Sequence, residues 1–268
     1  MAKQASARHK WCEKCRHKGW VTATNGVLSH VELCECVNHC PMCGGFGLDR
    51  YENEAGYAYA APCKTCGNIR RNIKLYNFAG IPAKYSNVLQ VDSFQPKGRS
   101  LQHALSYVKQ FVKNYPNKRG FLLMGGAGVG KTHLAVGAVS ELTLERGVGC
   151  VFKDFFYLLS ELKEAYTQGG SENAVIAPLI NAEVLVIDEL GKGRSSEWEL
   201  NILDQLISKR YNASKVTLIT TNFVSSEHEE VEGGNVLEER VGERIASRLH
   251  EMCEFLVLKG QDHRRGKG

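Results

Sequence analysis

No uninterrupted apolar run in this 268-residue sequence approaches the roughly 18 residues needed to cross a bilayer. The opening MAKQASARHKWC carries charge but lacks the apolar stretch of a secretory leader. Both absences set the expectation of a cytoplasmic protein with no membrane partner. Cysteine is scarce over most of the chain, with only Cys150 and Cys253 after residue 66. The other eight of the ten fall before residue 67 in close pairs. In a reducing compartment such clustering argues against a disulfide scaffold and for metal binding. Acidic residues are sparse at the front: residues 1–120 carry 18 Lys+Arg against 7 Asp+Glu, whereas residues 121–268 carry 16 against 22. Two Zn²⁺ held by eight thiolates would lower the front from +11 to about +7. A front of that charge suits nucleic acid or an acidic protein surface, and equally an ordinary soluble one. With 43% apolar and 24% charged residues, the chain has the composition of a globular protein, and its length allows one ordinary domain plus a small one.

The cysteine pairs are Cys12/Cys15, Cys34/Cys36, Cys40/Cys43 and Cys63/Cys66, with eighteen residues between the first two pairs and nineteen between the last two. RHKGW follows the first pair and GGFGL the third, so the segment repeats itself. A CxxC turn lets two thiolates converge on one tetrahedral ion, and glycines free backbone N–H groups to point at the sulfurs. A second pair across a short hairpin closes the shell and leaves no open position, which makes the sites structural. The assignment is Cys12, Cys15, Cys34 and Cys36 to one zinc ion and Cys40, Cys43, Cys63 and Cys66 to the other. The interleaved arrangement, first pair with last, is the alternative. His17, His30 and His39 lie nearby and are read as bystanders. CPMCGGFG resembles the CxxCxGxG repeat of the DnaJ-type chaperone zinc domain, which supports a zinc fold and says little of chaperone activity.

Beyond a turn-rich connector, LQHALSYVKQFVKNY places Leu101, Ala104, Leu105, Val108, Phe111 and Val112 on one helical stripe. The apolar strand GFLLMG then runs into GGAGVGKT. Gly125 to Thr132 satisfies GxxxxGK[ST] between a strand and a helix, the context that a phosphate-binding loop requires. Gly126, Ala127, Gly128, Val129 and Gly130 would offer backbone N–H groups to the phosphates of ATP. Lys131 would reach the β- and γ-phosphates, and Thr132 would ligate Mg²⁺. AEVLVIDEL reads as a buried parallel strand ending in two carboxylates. Asp188 fits a Mg²⁺ ligand, and Glu189 fits the polarisation of an attacking water. A further strand, KVTLITTN, ends in Asn222. GERIASRLHEM sets Arg244 and Arg248 four apart on one helical face. That face is either a solvated basic one or carries an arginine finger for a neighbouring subunit. The fold class expected is α/β: a P-loop core, a parallel sheet flanked by helices, preceded by a small cysteine-rich zinc-binding domain.

From Ala79 onward the chain resembles the bacterial replicative helicase loaders of the DnaC/DnaI type and the related IstB transposition helpers, which are AAA+ ATPases. AGIPAKYSNV, VLVIDELG and GERIASRL carry the likeness. The resemblance implies that Asn222 senses the γ-phosphate and water, that Arg248 is the finger and Arg244 its support, and that QDHRRG holds the short final strand and a sensor arginine, Arg264. It implies no sizeable C-terminal lid, and a paired-helix insertion touching single-stranded DNA within FKDFFYLLSELKEAYTQGG. There Lys153, Phe155, Phe156, Lys163 and Tyr166 are candidates, although Phe156, Leu159 and Leu162 also fit a core stripe.

The domains expected are a zinc-binding docking domain over 1–70, a connector over 71–100 and the AAA+ core over 101–268. The resemblance implies an ATPase that loads a DnaB-type replicative helicase onto single-stranded DNA, with self-association through the finger. The alternatives are an IstB-like transposition helper and a nucleotide-binding zinc adaptor without turnover.

Overall fold

The structure is a computed structural model, and it describes residues 12–116, 119–193, 196–228 and 236–263. The chain divides into two compact units, residues 1–87 with 143–148 and residues 88–142 with 149–268.

The first unit holds two antiparallel hairpins and a helix. Strands β1 (Trp20–Asn25) and β2 (Leu28–Leu33) form the first hairpin; β3 (Leu48–Glu52) and β4 (Ala58–Pro62) form the second. Helix α1 (Gly67–Phe78) packs on β2. Its Asn77 carboxamide accepts from the Val31 N–H at 2.9 Å and donates to the Val31 carbonyl at 3.0 Å, pairing the strand edge as another strand would. Tyr76, fully buried, meets the Ser29 hydroxyl at 2.7 Å. The Ile81 carbonyl accepts from Ser29 N–H, and the Ile81 side chain is buried. Helix α1 therefore runs through the boundary expected at residue 70, and the residues expected to open the connector belong to this unit through residue 87. The helix buries only Gly67, Asn72 and Tyr76, too few apolar positions to write a stripe into the sequence.

The second unit is a five-stranded parallel sheet flanked by helices, the α/β architecture expected. In chain order it comprises α2 (Arg99–Lys113), β5 (Gly120–Gly125), α3 (Lys131–Arg146), β6 (Cys150–Asp154), α4 (Phe155–Thr167), α5 (Glu172–Asn181), β7 (Val184–Leu190), α6 (Glu197–Asn212), β8 (Val216–Thr221), α7 (Leu237–Val241), α8 (Glu243–Met252) and β9 (Cys253–Leu258). Spatially the strands run β6-β7-β8-β5-β9. Every residue of β5 and β8 is buried, which is why β5 reads as an unbroken apolar run and β8 as β-branched and leucine residues only; the edge strands β6 and β9 are only partly covered. Of the α2 stripe, Leu101, Ala104, Val108, Phe111 and Val112 are buried. Among the described residues the last strand is β9, CEFLVL; residues 261–263 follow it outside any strand, and the rest of QDHRRG, expected to hold a short final strand, lies outside the described residues. Among the described residues no helix is long and apolar enough to cross a membrane.

Candidate functional site

Because β8 lies between β5 and β7, Thr221 faces Met124 on one side and Leu190 on the other. The chain following each of these three strands therefore emerges at one edge of the sheet, where parallel α/β sheets gather ligands. There Lys131, buried at the start of α3, donates to the Gly125 carbonyl at 2.7 Å, the Gly126 carbonyl at 2.6 Å and the Asn222 side-chain oxygen at 2.8 Å. Thr132 donates to Asp188 at 2.9 Å, and Thr220 donates to the same carboxylate oxygen at 2.5 Å. Burial pushes the Asp188 carboxyl above the usual carboxylate range, and the hydrogen bonds from Thr220 and Thr132 oppose the shift. At Gly128, a side chain of any size would collide with Asp262, whose carboxylate oxygen lies 1.7 Å from where a Cβ would stand. The loop of Gly126, Ala127, Gly128, Val129 and Gly130 thus spans the gap between β5 and α3, with Lys131 and Thr132 aimed at its mouth.

Neighbouring residues in a strand normally point to opposite faces. Here the β7–β8 register slips between Ile187 and Leu190, and Glu189 takes a left-handed backbone with φ 55°. That irregularity lets consecutive carboxylates serve one edge. It is held by Thr220, which accepts from the Glu189 N–H at 3.0 Å while donating to Asp188. The Glu189 carboxylate is ion-paired with Lys192. Beyond it, Arg240 fastens the loop, donating to the carbonyls of Gly191, at 2.8 Å, and Gly193, with its guanidinium over the Phe223 ring. Sequence reasoning missed both Lys192 and Arg240. Only their closeness to the DEL motif and to the GERIASRL box could have flagged them.

In the first unit, the four sulfurs of Cys12, Cys15, Cys34 and Cys36 lie within 4.8 Å of one another, as do those of Cys40, Cys43, Cys63 and Cys66. The sequential grouping is the one adopted, not the interleaved one. Cross-hairpin S···S distances are 3.7 and 3.6 Å in the first set and 3.8 and 3.6 Å in the second. Zinc–thiolate bonds of about 2.3 Å in a tetrahedron give S···S edges of about 3.8 Å, so the residues present fit such an ion. A disulfide, at about 2.05 Å, they do not form. The two sets are copies: Gly19 N–H donates to Cys15 Sγ at 3.4 Å and Gly47 N–H to Cys43 Sγ at 3.2 Å. Gly19 and Gly47 share positive φ values of 77° and 81°, the left-handed turn that aims each N–H at sulfur. Cys34 N–H donates to the Gly19 carbonyl and Cys63 N–H to the Gly47 carbonyl, both at 2.9 Å. The backbone N–H of Cys15 foremost draws the Cys12 thiol down to about 7, whereas burial pushes the Cys66 thiol up to about 12. Both candidate sets consist of cysteine alone. His30 instead meets Asn77 at 3.2 Å, and His39 the Glu35 carbonyl at 3.3 Å.

The sequence pattern of the IstB-like ATP binding protein family matches residues 68–267. The chain belongs to this family. It is 26% identical over 225 residues to the replicative helicase loader DnaC of Escherichia coli strain K12, covering 83% of this chain and 87% of that one. It is 31% identical over 147 residues to an insertion-sequence protein of Geobacillus stearothermophilus named for ATP binding, covering 55% and 56%. The crystal structure of the DnaC helicase loader matches with a TM-score of 0.57 and 34% identity, over 66% of this chain and 99% of that one. That of DnaI matches at 0.54 and 22%, a likeness of fold.

In this IstB-like chain, Arg244 and Arg248 both reach from α8 to Asp204 on α6. Arg248 is 2.9 Å from it and lies over the Tyr211 ring; Arg244 is 3.7 Å from it. The Arg248 side chain is 23% exposed and that of Arg244 73%. Arg264 lies outside the described residues. The region expected to touch DNA, FKDFFYLLSELKEAYTQGG, runs from the end of β6 through the single helix α4; α5, which packs on α4, begins just beyond it. Phe155 is not available for such contact, since the core of the sheet takes it in beside Leu158, Leu159 and Leu162. Lys153 pairs with Glu161, Lys163 covers the Trp198 ring, and Tyr166 donates to Glu172. Phe156 is exposed, and so is Tyr157, at 69%, which sequence reasoning did not single out.

Proposed function

We propose that this protein is an ATP-dependent loader of a DnaB-type replicative helicase onto single-stranded DNA. The observation that supports it most is the convergence of Lys131, Thr132, Asp188, Glu189 and Asn222 at one sheet edge, in a chain whose likeness to a replicative helicase loader spans 83% of its length. That span can be reached only by extending before residue 68, into the cysteine-rich unit, whereas the family pattern begins at residue 68.

Lys131 exchanges two loop carbonyls and Asn222 for the phosphates of ATP, a trade of neutral acceptors for a stronger anionic one. Thr132 and Asp188 would hold Mg²⁺, whose charge offsets that building on the transferred phosphoryl oxygens. Glu189, released from Lys192, takes the proton of the attacking water, and Asn222, released from Lys131, orients it. Arg264 contacts the nucleotide of its own subunit. The finger comes from a neighbouring subunit, either Arg248 as the family likeness has it or Arg244 as its exposure favours. The zinc-bearing unit, with two ions, docks on the helicase; Met42, Phe46, Leu48, Tyr57 and Tyr59 expose the apolar surface that such docking uses. Single-stranded DNA lies along α4, its bases on Phe156 and Tyr157. The setting for this work is the cytoplasm.

The test is recovery of partners from native lysate on the full chain, with and without ATP. Retention of the replicative helicase is the expected result. Retention of a transposase in its place would establish the transposition helper, which the insertion-sequence relative favours. Binding of ATP with no turnover even beside helicase and DNA would establish the adaptor.

A further inference from the structure

Lys192 is held in an unusual way. Its flanking residues, Gly191 and Gly193, both give their carbonyls to the one guanidinium of Arg240, and its own N–H donates to the Glu189 carbonyl at 3.1 Å. The backbone on either side is thus pinned, and what is left to move is a four-carbon stem with an ammonium at its tip. That side chain is 57% exposed, yet its ammonium turns inward to the Glu189 carboxylate. Gly191 and Lys192 line a small cleft together with Phe155, the first residue of α4, and the rise in the Lys192 pKa, set first by the hydrogen bond to Glu189, takes further contributions from Asp154 and Tyr157 beside it. At the start of α4 Phe156 and Tyr157 are exposed, their rings edge to face at 6.1 Å. A cation on a movable stem near a pair of exposed aromatic rings is the composition that binds a single-stranded nucleic acid, bases on the rings and phosphate on the cation. A carboxylate paired with an ammonium has to give up that partner before it can orient a water at the phosphate loop.

We propose that Lys192 is a positioning residue that links nucleic-acid occupancy to hydrolysis: unliganded, it holds Glu189 out of the reaction, and a backbone phosphate of single-stranded DNA seated on Phe156 and Tyr157 draws Lys192 off and frees Glu189. The inference rests on the reading of Glu189 as the residue that activates water. It adds a route by which DNA sets the rate without touching the nucleotide. The path is short, one side chain long, and it needs no movement of the sheet. It also explains why the loop after β7 is anchored by Arg240 on both sides of Lys192: a loose loop would carry the lysine away together with its partner.

The test is steady-state ATP hydrolysis by the full chain, with and without an oligodeoxythymidylate, for the wild type, Lys192→Ala, Lys192→Arg and Tyr157→Ala. Lys192→Ala is expected to raise kcat without the oligonucleotide several-fold, leave KM for ATP within about twofold, and lose most of the stimulation by DNA. Lys192→Arg, a cation of similar reach, is expected to restore dependence on the oligonucleotide. Tyr157→Ala is expected to shift the stimulation to higher oligonucleotide concentration. The salt dependence of oligonucleotide binding should weaken by about one phosphate contact in Lys192→Ala. If the wild type hydrolyses ATP and Lys192→Ala shows the same rate and the same stimulation, the link through Lys192 is wrong while the ATPase reading stands. If no hydrolysis occurs in any protein with or without DNA, both fall.

Discussion

Lys131 and Glu189 both bond to the end of β8, at Asn222 and Thr220, yet their loss should read out differently. Lys131→Ala removes a charge from the phosphate-binding loop and should weaken ATP binding, measured with a fluorescent nucleotide. Glu189→Gln should leave that binding intact and abolish phosphate release, because the amide cannot take a proton. Phosphate release at the wild-type rate would remove Glu189 from that role. A different kind of residue is Arg210, fully buried and engaged with the carbonyls of Leu179, Ile180, Ala182 and Val216 and the hydroxyl of Thr217. Three of these carbonyls belong to the end of α5 and the residue just past it, so the guanidinium serves as a charged cap where the helix dipole is negative. Burial lowers its pKa to about 10, which keeps it charged at neutral pH. Arg210→Met should destabilise the sheet-bearing unit by at least about 3 kcal/mol, since several buried carbonyls are left unpaired at once. Thermal unfolding checks this, and an unchanged melting temperature would show that water replaces the guanidinium at no cost.

Elements were legible in the sequence where one local rule sufficed. The phosphate-binding loop, the strands β5, β7 and β8, and the stripe of α2 each follow from a contiguous pattern. Helix α1 was not legible, because its stability comes from Asn77 and Tyr76 meeting β2 rather than from an apolar face of its own. Phe155 was misjudged for a related reason: aromatic residues at the start of α4 look alike in sequence, and only the packing of the sheet decides which one turns inward. Arg240 and Lys192 became visible only when the loop after β7 was seen beside α7. On α8, spacing foresaw that Arg244 and Arg248 share a face, but not that both converge on Asp204. Their separation gives a test. Arg248→Ala should lower stability through the loss of Asp204 and Tyr211, whereas Arg244→Ala should be nearly neutral in the isolated chain. Whichever arginine is the finger should lower hydrolysis in assemblies by a factor that reaches about 10³ in favourable cases. Activity should then partly return when that mutant is mixed with Lys131→Ala subunits. Absence of recovery for both arginines would remove the head-to-tail assembly.

Over the whole molecule, the order of parts was plain from composition, since eight cysteines precede the phosphate-binding loop and none falls within it. Full-length protein purified without chelator should carry two zinc ions per chain by elemental analysis, and absorption spectra of a cobalt-substituted form should require only sulfur ligands. One ion per chain, or a nitrogen ligand, would overturn the assignment. Cys40→Ser or Cys63→Ser should expose the first unit to protease while nucleotide binding persists, because a segment with so small a core draws much of its folding free energy from metal. The two copies within that unit have, however, come to differ. Trp20 of the first copy is buried, while Leu48, its counterpart in the second, is 53% exposed and neighbours Phe46 at 87%. Every residue of β3 and β4 is at least partly open, whereas β2 buries Ser29 and Val31 against α1. Duplication followed by unequal burial leaves one copy answerable to the fold and the other answerable only to whatever it meets. In lineages that carry this chain, the first hairpin should therefore change slowly at Trp20, Ser29 and Val31. The second should change quickly at Phe46, Leu48, Tyr57 and Tyr59, in step with a partner's surface, with its cysteines and Gly47 held constant.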